Sequence, residues 1–303
     1  MKTKILPIRW KMPMMALIAG TLFSCEPMDD SSWIYNETFL VNWKEAVPET
    51  GERPIGQEVI VAHLYGGEKN HQYFYLTPDG KKETNVECGK YKAIAIQGNE
   101  FVQDMDGFGT ASIILPTNND NELRETEIEN NPTEMMYFGR IDKMEVYEEY
   151  KQTHTFHMRK ALKKLTFMVS VLDNEELKDN CDIDISGLAT RMSLANGTVD
   201  QETEAILKFS IPKKGRPLTE GEKKIQTKYK GSCYILGTSG KNVVRVTYTD
   251  SKGEKQTVEH DVTHKLKEWT TDEVGVVIRI DAETGMTNEW DWVDNYTEID
   301  FDF

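Results

Sequence analysis

Alternation of apolar and polar residues is the dominant pattern along this chain, and it predicts strands. In "KKLTFMVSV" the side chains of Leu165, Phe167 and Val169 alternate with more polar or more flexible residues. This period of two is typical of a strand with one face buried. The segments "NVVRVTYTD" at 242–250 and "EVGVVIRID" at 273–281 repeat the pattern. The second half of the chain is therefore predicted to be built from strands.

The first half carries runs of β-branched and aromatic residues that end at Gly, Pro, Asn or Asp. These runs are "QEVIVAHLY", "HQYFYLT", "KYKAIAIQG" and "GTASIILP", which lie between residues 57 and 116. Such composition favours strands, and the intervening "TPDGKK" has the residues of a tight turn. "DSKGEK" at 250–255 predicts a hairpin loop of the same kind. The fold class indicated is all-β.

Two segments depart from the strand pattern. "THKLKEW", Thr263 to Trp269, is predicted to be a short helix, with Asp261 or Thr263 capping its first amides. The polar stretch from Pro116 to Met135 is rich in Asn and Glu and is predicted to be a solvated loop.

The first 24 residues form a separate unit. They carry four basic residues and no acid, followed by the apolar run "MPMMALIAGTLF". This is the pattern of a signal peptide and is too short for a permanent membrane span. The junction "LFSC" resembles the lipobox of bacterial lipoproteins, in which Cys25 receives the lipid. The resemblance implies cleavage before Cys25 and anchoring through several acyl chains. The open alternative is an ordinary signal peptide with an incidental cysteine.

The length of the chain and its charge after removal of the signal limit the number of domains and the kinds of partner that we expect. The formal net charge of −15 becomes −19 once the four positive charges of the signal are removed. That acidity argues against nucleic acid or anionic lipid as a partner surface. The rest of the chain is long for one core, so two domains are predicted, 25–153 and 154–303, with the boundary near Thr153.

Three cysteines remain after the signal, Cys88, Cys181 and Cys233. In an oxidising compartment they allow at most one internal disulfide and one free thiol. They show no metal-binding spacing, and three scattered buried thiols are the preferred interpretation. Their pairing stays open at this point.

Several segments in fixed order resemble the fimbrillin-like lipoproteins of Bacteroidetes-type bacteria. After the lipobox come "FLVNWKE", "CGKYKAIAIQGNE", "PTEMMYFG", "FHMRKALKKLTFMVSV" and "EWDWVDNYTEIDF". The similarity is greatest to an uncharacterised branch near the minor-fimbria anchor proteins. It implies two tandem transthyretin-like, seven-strand β-sandwich domains. It also implies an outer-membrane, surface-exposed anchor or accessory subunit whose partners are fimbrial subunits joined by strand insertion.

Two further features concern the kind of subunit. Polymerising members of that family lose their first strand to a protease that cuts after Arg. Here the first Arg after Cys25 is Arg53, which precedes Pro54, and the next is Arg124; we therefore expect the chain to stay uncut and tethered. The tail "YTEIDFDF" places Ile299, Phe301 and Phe303 on one face. These residues suit either the last strand of a sheet or a donor strand for a partner.

The sequence gives little support for a metal site or for catalysis. "CDIDISG" imitates the start of a calcium loop, but Ser193 stands where a bidentate Glu is required. His260 and His264 lack an evident third metal ligand, as do His154 and His157. No catalytic motif is present, so we predict neither an enzyme nor a cofactor or metal site.

The alternative function is a glycan-binding surface lipoprotein of a polysaccharide-utilisation system. Its platform would be exposed aromatic rings, with Trp33, Trp43, Trp290 and Trp292 as candidates. Coplanar exposed rings would favour this function, and a strand-wide apolar groove would favour fimbrial assembly. The sequence identifies no host receptor or sugar.

Overall fold

The computed structural model describes residues 34–54, 59–66, 71–98, 100–120, 125–147, 151–213, 225–283 and 286–294. Within these ranges the chain is nearly all β, which confirms the predicted fold class. The strands form sheets that pack into sandwich-like layers around two hydrophobic cores.

The strands of the first part are β1 (Ile34–Asn42), β2 (Ile60–Gly66), β3 (His71–Leu76), β4 (Lys81–Glu87), β5 (Gly89–Gln97), β6 (Val102–Gln103), β7 (Ser112–Ile114), β8 (Thr117–Asp120), β9 (Glu125–Ile128), β10 (Tyr137–Val146), β11 (Thr153–His157) and β12 (Arg159–Lys160). Those of the second part are β13 (Lys163–Asp173), β14 (Cys181–Leu188), β15 (Arg191–Ser193), β16 (Ala205–Ile211), β17 (Ile225–Ile235), β18 (Val243–Thr249), β19 (Lys255–Asp261), β20 (Glu273–Asp281) and β21 (Met286–Asp294), with helix α1 (Thr263–Glu268) before β20.

Two sheets enclose the N-terminal core. Sheet A has the order β11-β1-β4, and sheet B the order β12-β10-β5-β2-β3. Between them lie buried side chains from β1, β2, β5, β10 and β11, including Phe39, Leu64 and Phe156. The strands β11 and β12 therefore complete the two N-terminal sheets and lead directly into β13.

Three sheets surround the main core. Sheet C has the order β17-β13-β20-β21, sheet D the order β19-β18-β14-β16-β9-β8, and sheet E the order β15-β7-β6. The alternating residues that predicted β13 all point into this core, since Leu165, Phe167, Val169 and Val171 are at most 1% exposed. Parallel pairing of β13 with β20 and antiparallel pairing with β17 place β13 at the centre of sheet C.

Strand β5 is buried on both of its faces. Ala93 and Ala95 point into the N-terminal core, whereas Ile94 and Ile96 point into the main core. A strand covered on both sides reads as a continuous apolar run, which explains the unbroken "AIAI". Sheet B is therefore the layer that the two cores share.

Most predicted elements are confirmed, and one is wrong. Helix α1 forms with Val262 at its N-cap position, and the carboxylate of Asp261, one of the two predicted caps, accepts a hydrogen bond from the Thr263 amide at 3.0 Å. The stretch predicted to be a solvated loop contains β8 and β9, and β9 pairs in parallel with β16 through Glu127 and Ile206. Tertiary pairing, not local composition, creates these two strands.

The cysteines agree in part with the preferred interpretation. Cys181 and Cys233 are free thiols in the main core, and Cys88 is only half-buried. Burial raises the pKa of the Cys181 thiol to about 12 and also raises that of Cys233. Both buried thiols therefore stay protonated and unreactive at neutral pH.

Candidate functional site

The residues predicted to carry function lie largely outside the described residues. Cys25, the predicted lipid attachment point, and Ile299, Phe301 and Phe303, the predicted donor or edge strand, belong to segments that the structure does not describe. Both remain predictions. The described part of the chain offers a different site, the position of the first strand between its two neighbours.

Strand β1 fills a slot in the middle of sheet A. It pairs antiparallel with β4 from Ile34 to Leu40 and parallel with β11 from Thr38 to Asn42. Backbone hydrogen bonds extend this pairing, from the Thr38 amide to the Gln152 carbonyl and from the Met158 amide to the Asn42 carbonyl, both at 2.9 Å. We call the space that β1 occupies between β4 and β11 the first-strand slot.

The apolar part of the slot is centred on Phe39, which is fully buried. Its ring centroid lies 4.8 Å from that of Phe74 on sheet B and 6.1 Å from that of Phe156 on β11. Trp43, just beyond β1, meets the Tyr137 ring edge-on at 5.5 Å. These contacts join sheet A to sheet B, so the core depends on side chains that β1 supplies.

A buried polar contact fixes the register of β1 against β11. The Glu37 side chain is 1% exposed, and its Oε2 atom lies 3.0 Å from His154 Nε2. The same oxygen accepts a hydrogen bond from the Gln152 backbone amide at 3.2 Å. Buried carboxylates need such partners, so a slip of β1 by one residue would leave Glu37 unsatisfied.

The segment after β1 holds Arg53, the first arginine after Cys25. The Arg53 guanidinium donates a hydrogen bond from Nη1 to the Pro78 carbonyl at 2.8 Å, in the turn between β3 and β4. Arg53 is only partly exposed. Its side chain is therefore engaged with the folded domain and is not presented on an extended loop.

A row of rings covers one face of β2 and β3. The ring planes of His63, Tyr65 and His71 are nearly parallel, 8–17° apart, and His63 Nδ1 lies 3.0 Å from His71 Nε2. Tyr73 and Tyr75 continue the row on edge strand β3 and are 61% and 57% exposed. Their two rings are perpendicular, at 88°. The exposed pair therefore does not form the coplanar platform expected of a sugar site.

This row predicts a pH-dependent contribution to stability. Burial, and then the neighbouring His71, lower the pKa of His63 from 6.5 to about 4. Between these values the unfolded chain binds more protons than the folded protein, so the free energy of unfolding falls as the pH drops from 6.5 towards 4. A shift of this size corresponds to about 3 kcal/mol, and solvent screening at a part-buried site reduces the expected loss to about 1–2 kcal/mol.

Urea unfolding at pH 7 and at pH 4.5 measures this contribution. In His63→Asn the acid-induced loss of stability should be smaller than in the unaltered protein by that amount. His264→Asn is the matched control, since His264 on α1 is exposed beside Glu268. Equal pH dependence in the unaltered protein and the His63 variant would contradict the assignment.

The other candidate histidines and tryptophans show no arrangement of a binding site among the residues that the structure describes. His264 Nδ1 lies 3.2 Å from Glu268, and His260 lies on β19. Trp43 is a core residue, whereas Trp33 and the side chains of Trp290 and Trp292 lie outside the part of the chain that the structure describes. "CDIDISG" forms β14, as its alternation predicted.

Two polar pairs were missed by sequence reasoning. Glu37 and His154 are 117 positions apart, and only their parallel strands bring them together. His63 and His71 lie on neighbouring strands, and "AHLYGGEKNHQY" contains a usable signal. A hairpin there makes them diagonal neighbours on one face, with His63 opposite Tyr73 and Tyr65 opposite His71. In the part of the chain that the structure describes, no helix has the length and apolar character to cross a membrane.

Comparison by sequence, with family models and with curated proteins, finds no match to this chain. No model of a known protein family matches it. No curated protein shows significant similarity to it either.

Solved structures, by contrast, resemble it over most of its length. A candidate adhesin from Bacteroides ovatus superposes with a TM-score of 0.57 at 15% identity, covering 87% of this chain and 96% of the other. A second, from Bacteroides thetaiotaomicron, gives 0.54 at 11% identity, covering 84% and 92%. A candidate polysaccharide-binding protein of the latter organism gives 0.50 at 11% identity, covering 82% and 92%. The chain therefore shares the fold of Bacteroides candidate adhesins, the fold that its resemblance to the fimbrillin-like superfamily predicts.

Proposed function

We propose that this protein is a lipid-anchored surface subunit that serves as an anchor or accessory in the assembly of adhesive fimbriae. The observation that carries the proposal is the first-strand slot, in which one extended segment completes both a sheet and a core. The fold shared with candidate adhesins supports a role in adhesion. The proposed role is structural and requires no catalysis.

Physical chemistry explains why such a slot suits assembly. Without β1, the edges of β4 and β11 would carry unpaired backbone amides and carbonyls, and Phe74 and Phe156 would lose the ring between them. An extended strand from another subunit satisfies both needs at once, by backbone hydrogen bonds and by side chains that fill the pockets. In the proposed role, the first-strand slot is an acceptor that the chain's own β1 fills.

In this protein the slot stays filled. Arg53 precedes Pro54 and is bound to the Pro78 carbonyl, so the bond that would release β1 is a poor protease substrate. The chain consequently keeps its link from β1 back to Cys25 and the proposed lipid. A subunit that cannot open its slot ends a fibre at the membrane and does not extend it.

The finer parts of the proposal follow the family resemblance. The proposed organisation is two tandem transthyretin-like seven-strand sandwiches, 25–153 and 154–303, after a signal peptide at 1–24. Strands β11 and β12, which complete the N-terminal sheets, then lie at or just beyond the proposed boundary. The tail with Ile299, Phe301 and Phe303 is the strand that this subunit offers to a neighbour. The protein sits in the outer membrane through Cys25 and faces the exterior.

Purification from intact cells tests the proposal. Affinity capture of the tagged protein from the outer-membrane fraction is expected to bring fimbrial subunits with it, and its mass should correspond to a lipidated chain that starts at Cys25. Cys25→Ala is the control and should leave the membrane fraction. A lone monomer, or a chain that starts near residue 54, would contradict the anchor role.

Glycan binding is less well supported. One neighbour in fold is a candidate polysaccharide-binding protein, but the exposed Tyr73 and Tyr75 rings are perpendicular and cannot both lie flat on one sugar. The described residues thus favour assembly.

A further inference from the structure

A cleft of about 660 Å³ opens at one end of sheet C, beside helix α1. Its apolar lining includes Leu162, Leu236, Leu266 and Trp269, contributed by separate segments of the chain. This volume falls within the range of about 300–1,000 Å³ that is typical of ligand sites. We call it the α1 cleft.

The charge of the cleft is opposite to that of the protein. Lys160, Lys163 and Lys267 line it together with one acid, Asp272, in a chain whose net charge is −15. Lys160 is paired with Asp272 at 3.3 Å. Among the described residues, no carboxylate lies within ion-pair distance of Lys163 or Lys267. Two cations are therefore left for an acidic occupant.

Of these two lysines, Lys163 gives the stronger argument for an acidic occupant, because it is partly buried. Its ammonium donates a hydrogen bond to the Trp269 carbonyl at 2.8 Å and lies 4.8 Å from the centre of the Trp269 ring. Burial lowers its pKa, which shows that the charged form is poorly solvated there. A carboxylate placed beside it would relieve that cost.

The chain itself supplies an acidic segment at the right place. Strand β21 ends at Asp294, which pairs with Val274 at the start of β20, two residues after Asp272 of the cleft. The nine residues that follow, "NYTEIDFDF", carry three acids and alternate them with Ile299, Phe301 and Phe303. Nine extended residues span about 30 Å, enough to cross the cleft.

We propose that residues 295–303 bind in the α1 cleft of their own chain, with the apolar side chains on its floor and the acids towards Lys163 and Lys267. This goes beyond the proposed function, since it describes the isolated chain before any partner arrives. Docking in cis keeps an aggregation-prone strand covered until a partner takes it.

The test uses a fluorescently labelled peptide of sequence "NYTEIDFDF" and no partner subunit, so its outcome is independent of fimbrial assembly. We expect the peptide to bind a variant that lacks residues 295–303 and to bind the full chain at least tenfold more weakly, because the full chain's own tail blocks the cleft. A full-length Phe301→Asp/Phe303→Asp variant should also bind the peptide, which covers the case in which the deletion fails to fold.

Charge reversal then locates the binding site. In the truncated or doubly substituted background, Lys267→Glu should weaken peptide binding at least tenfold. Lys252→Glu, an exposed lysine in the hairpin between β18 and β19, should leave it unchanged. Equal binding to the full chain and to either opened variant would show a cleft free for another molecule's strand, and this overturns docking in cis. No binding at all, or equal effects of the two lysine changes, also overturns it.

Discussion

Replacing Phe39 by alanine is expected to lower the free energy of unfolding by about 3–5 kcal/mol, the usual cost of removing a fully buried phenylalanine. The ring has no exposed surface and joins Phe74 on sheet B to Phe156 on sheet A. The rigid sheets on either side cannot collapse onto the space it leaves. A loss of this size is a large share of the roughly 5–15 kcal/mol that stabilises a domain.

Equilibrium unfolding in urea, followed by circular dichroism, measures this loss. Ile34→Ala is the matched control, because Ile34 lies on the same strand and is 61% exposed. That control should change stability by less than about 0.5 kcal/mol. Similar losses in the two variants would show that β1 acts through its backbone alone and that the Phe39 ring does not hold the two sheets together.

The local sequence pattern was sufficient to predict a strand when one of its faces is buried and the other is more polar. The alternation around Phe167 predicted β13, because side chains on a strand point alternately to opposite sides. Strand β20 was also predicted from its apolar run, although Val274 to Ile278 are buried on both faces. Helix α1 was also predicted from local sequence, together with Asp261 as one of its two candidate caps. The residue at the N-cap position, Val262, was not predicted, because it depends on how the chain leaves β19.

The local sequence pattern could not predict which strands pair when they lie far apart in the chain. Strands β8 and β9 are polar, and Ile128 is their buried anchor; β9 exists because β16 lies beside it. The parallel pairing of β1 with β11 likewise joins residues more than a hundred positions apart. The first-strand slot could therefore be suspected from family resemblance, but the Glu37 and His154 contact that sets its register could not.

Such a slot has energetic consequences that differ from those of an ordinary edge strand. Over Thr38 to Leu40 the backbone of β1 is paired on both sides. An edge strand can leave a sheet at the cost of one row of hydrogen bonds, whereas β1 must break two rows and expose a core. A filled slot is therefore a durable state, which is consistent with the proposed role as a tethered subunit.

Separating β1 from the rest of the chain should therefore produce an unstable protein that a peptide can rescue. A protease site inserted between Glu49 and Thr50, in the exposed segment after β1, allows the strand to be cut loose after folding. The nicked protein should retain its fold and its bound strand in buffer. Once β1 has been removed in denaturant, the remainder should bind a hydrophobic dye and self-associate, because its edges and apolar slot are open.

Adding a synthetic peptide of residues 34–43 should restore the monomer and abolish dye binding. The same peptide with Phe39→Ala should bind about 100- to 4,000-fold more weakly, since about 3–5 kcal/mol is lost and 1.4 kcal/mol corresponds to a factor of ten. A peptide with Ile34→Ala should bind like the original. If the remainder stays a soluble monomer without the peptide, or accepts all three peptides equally, the first-strand slot is not an acceptor for a donor strand, because a slot that completes the core has to discriminate by the ring that fills it.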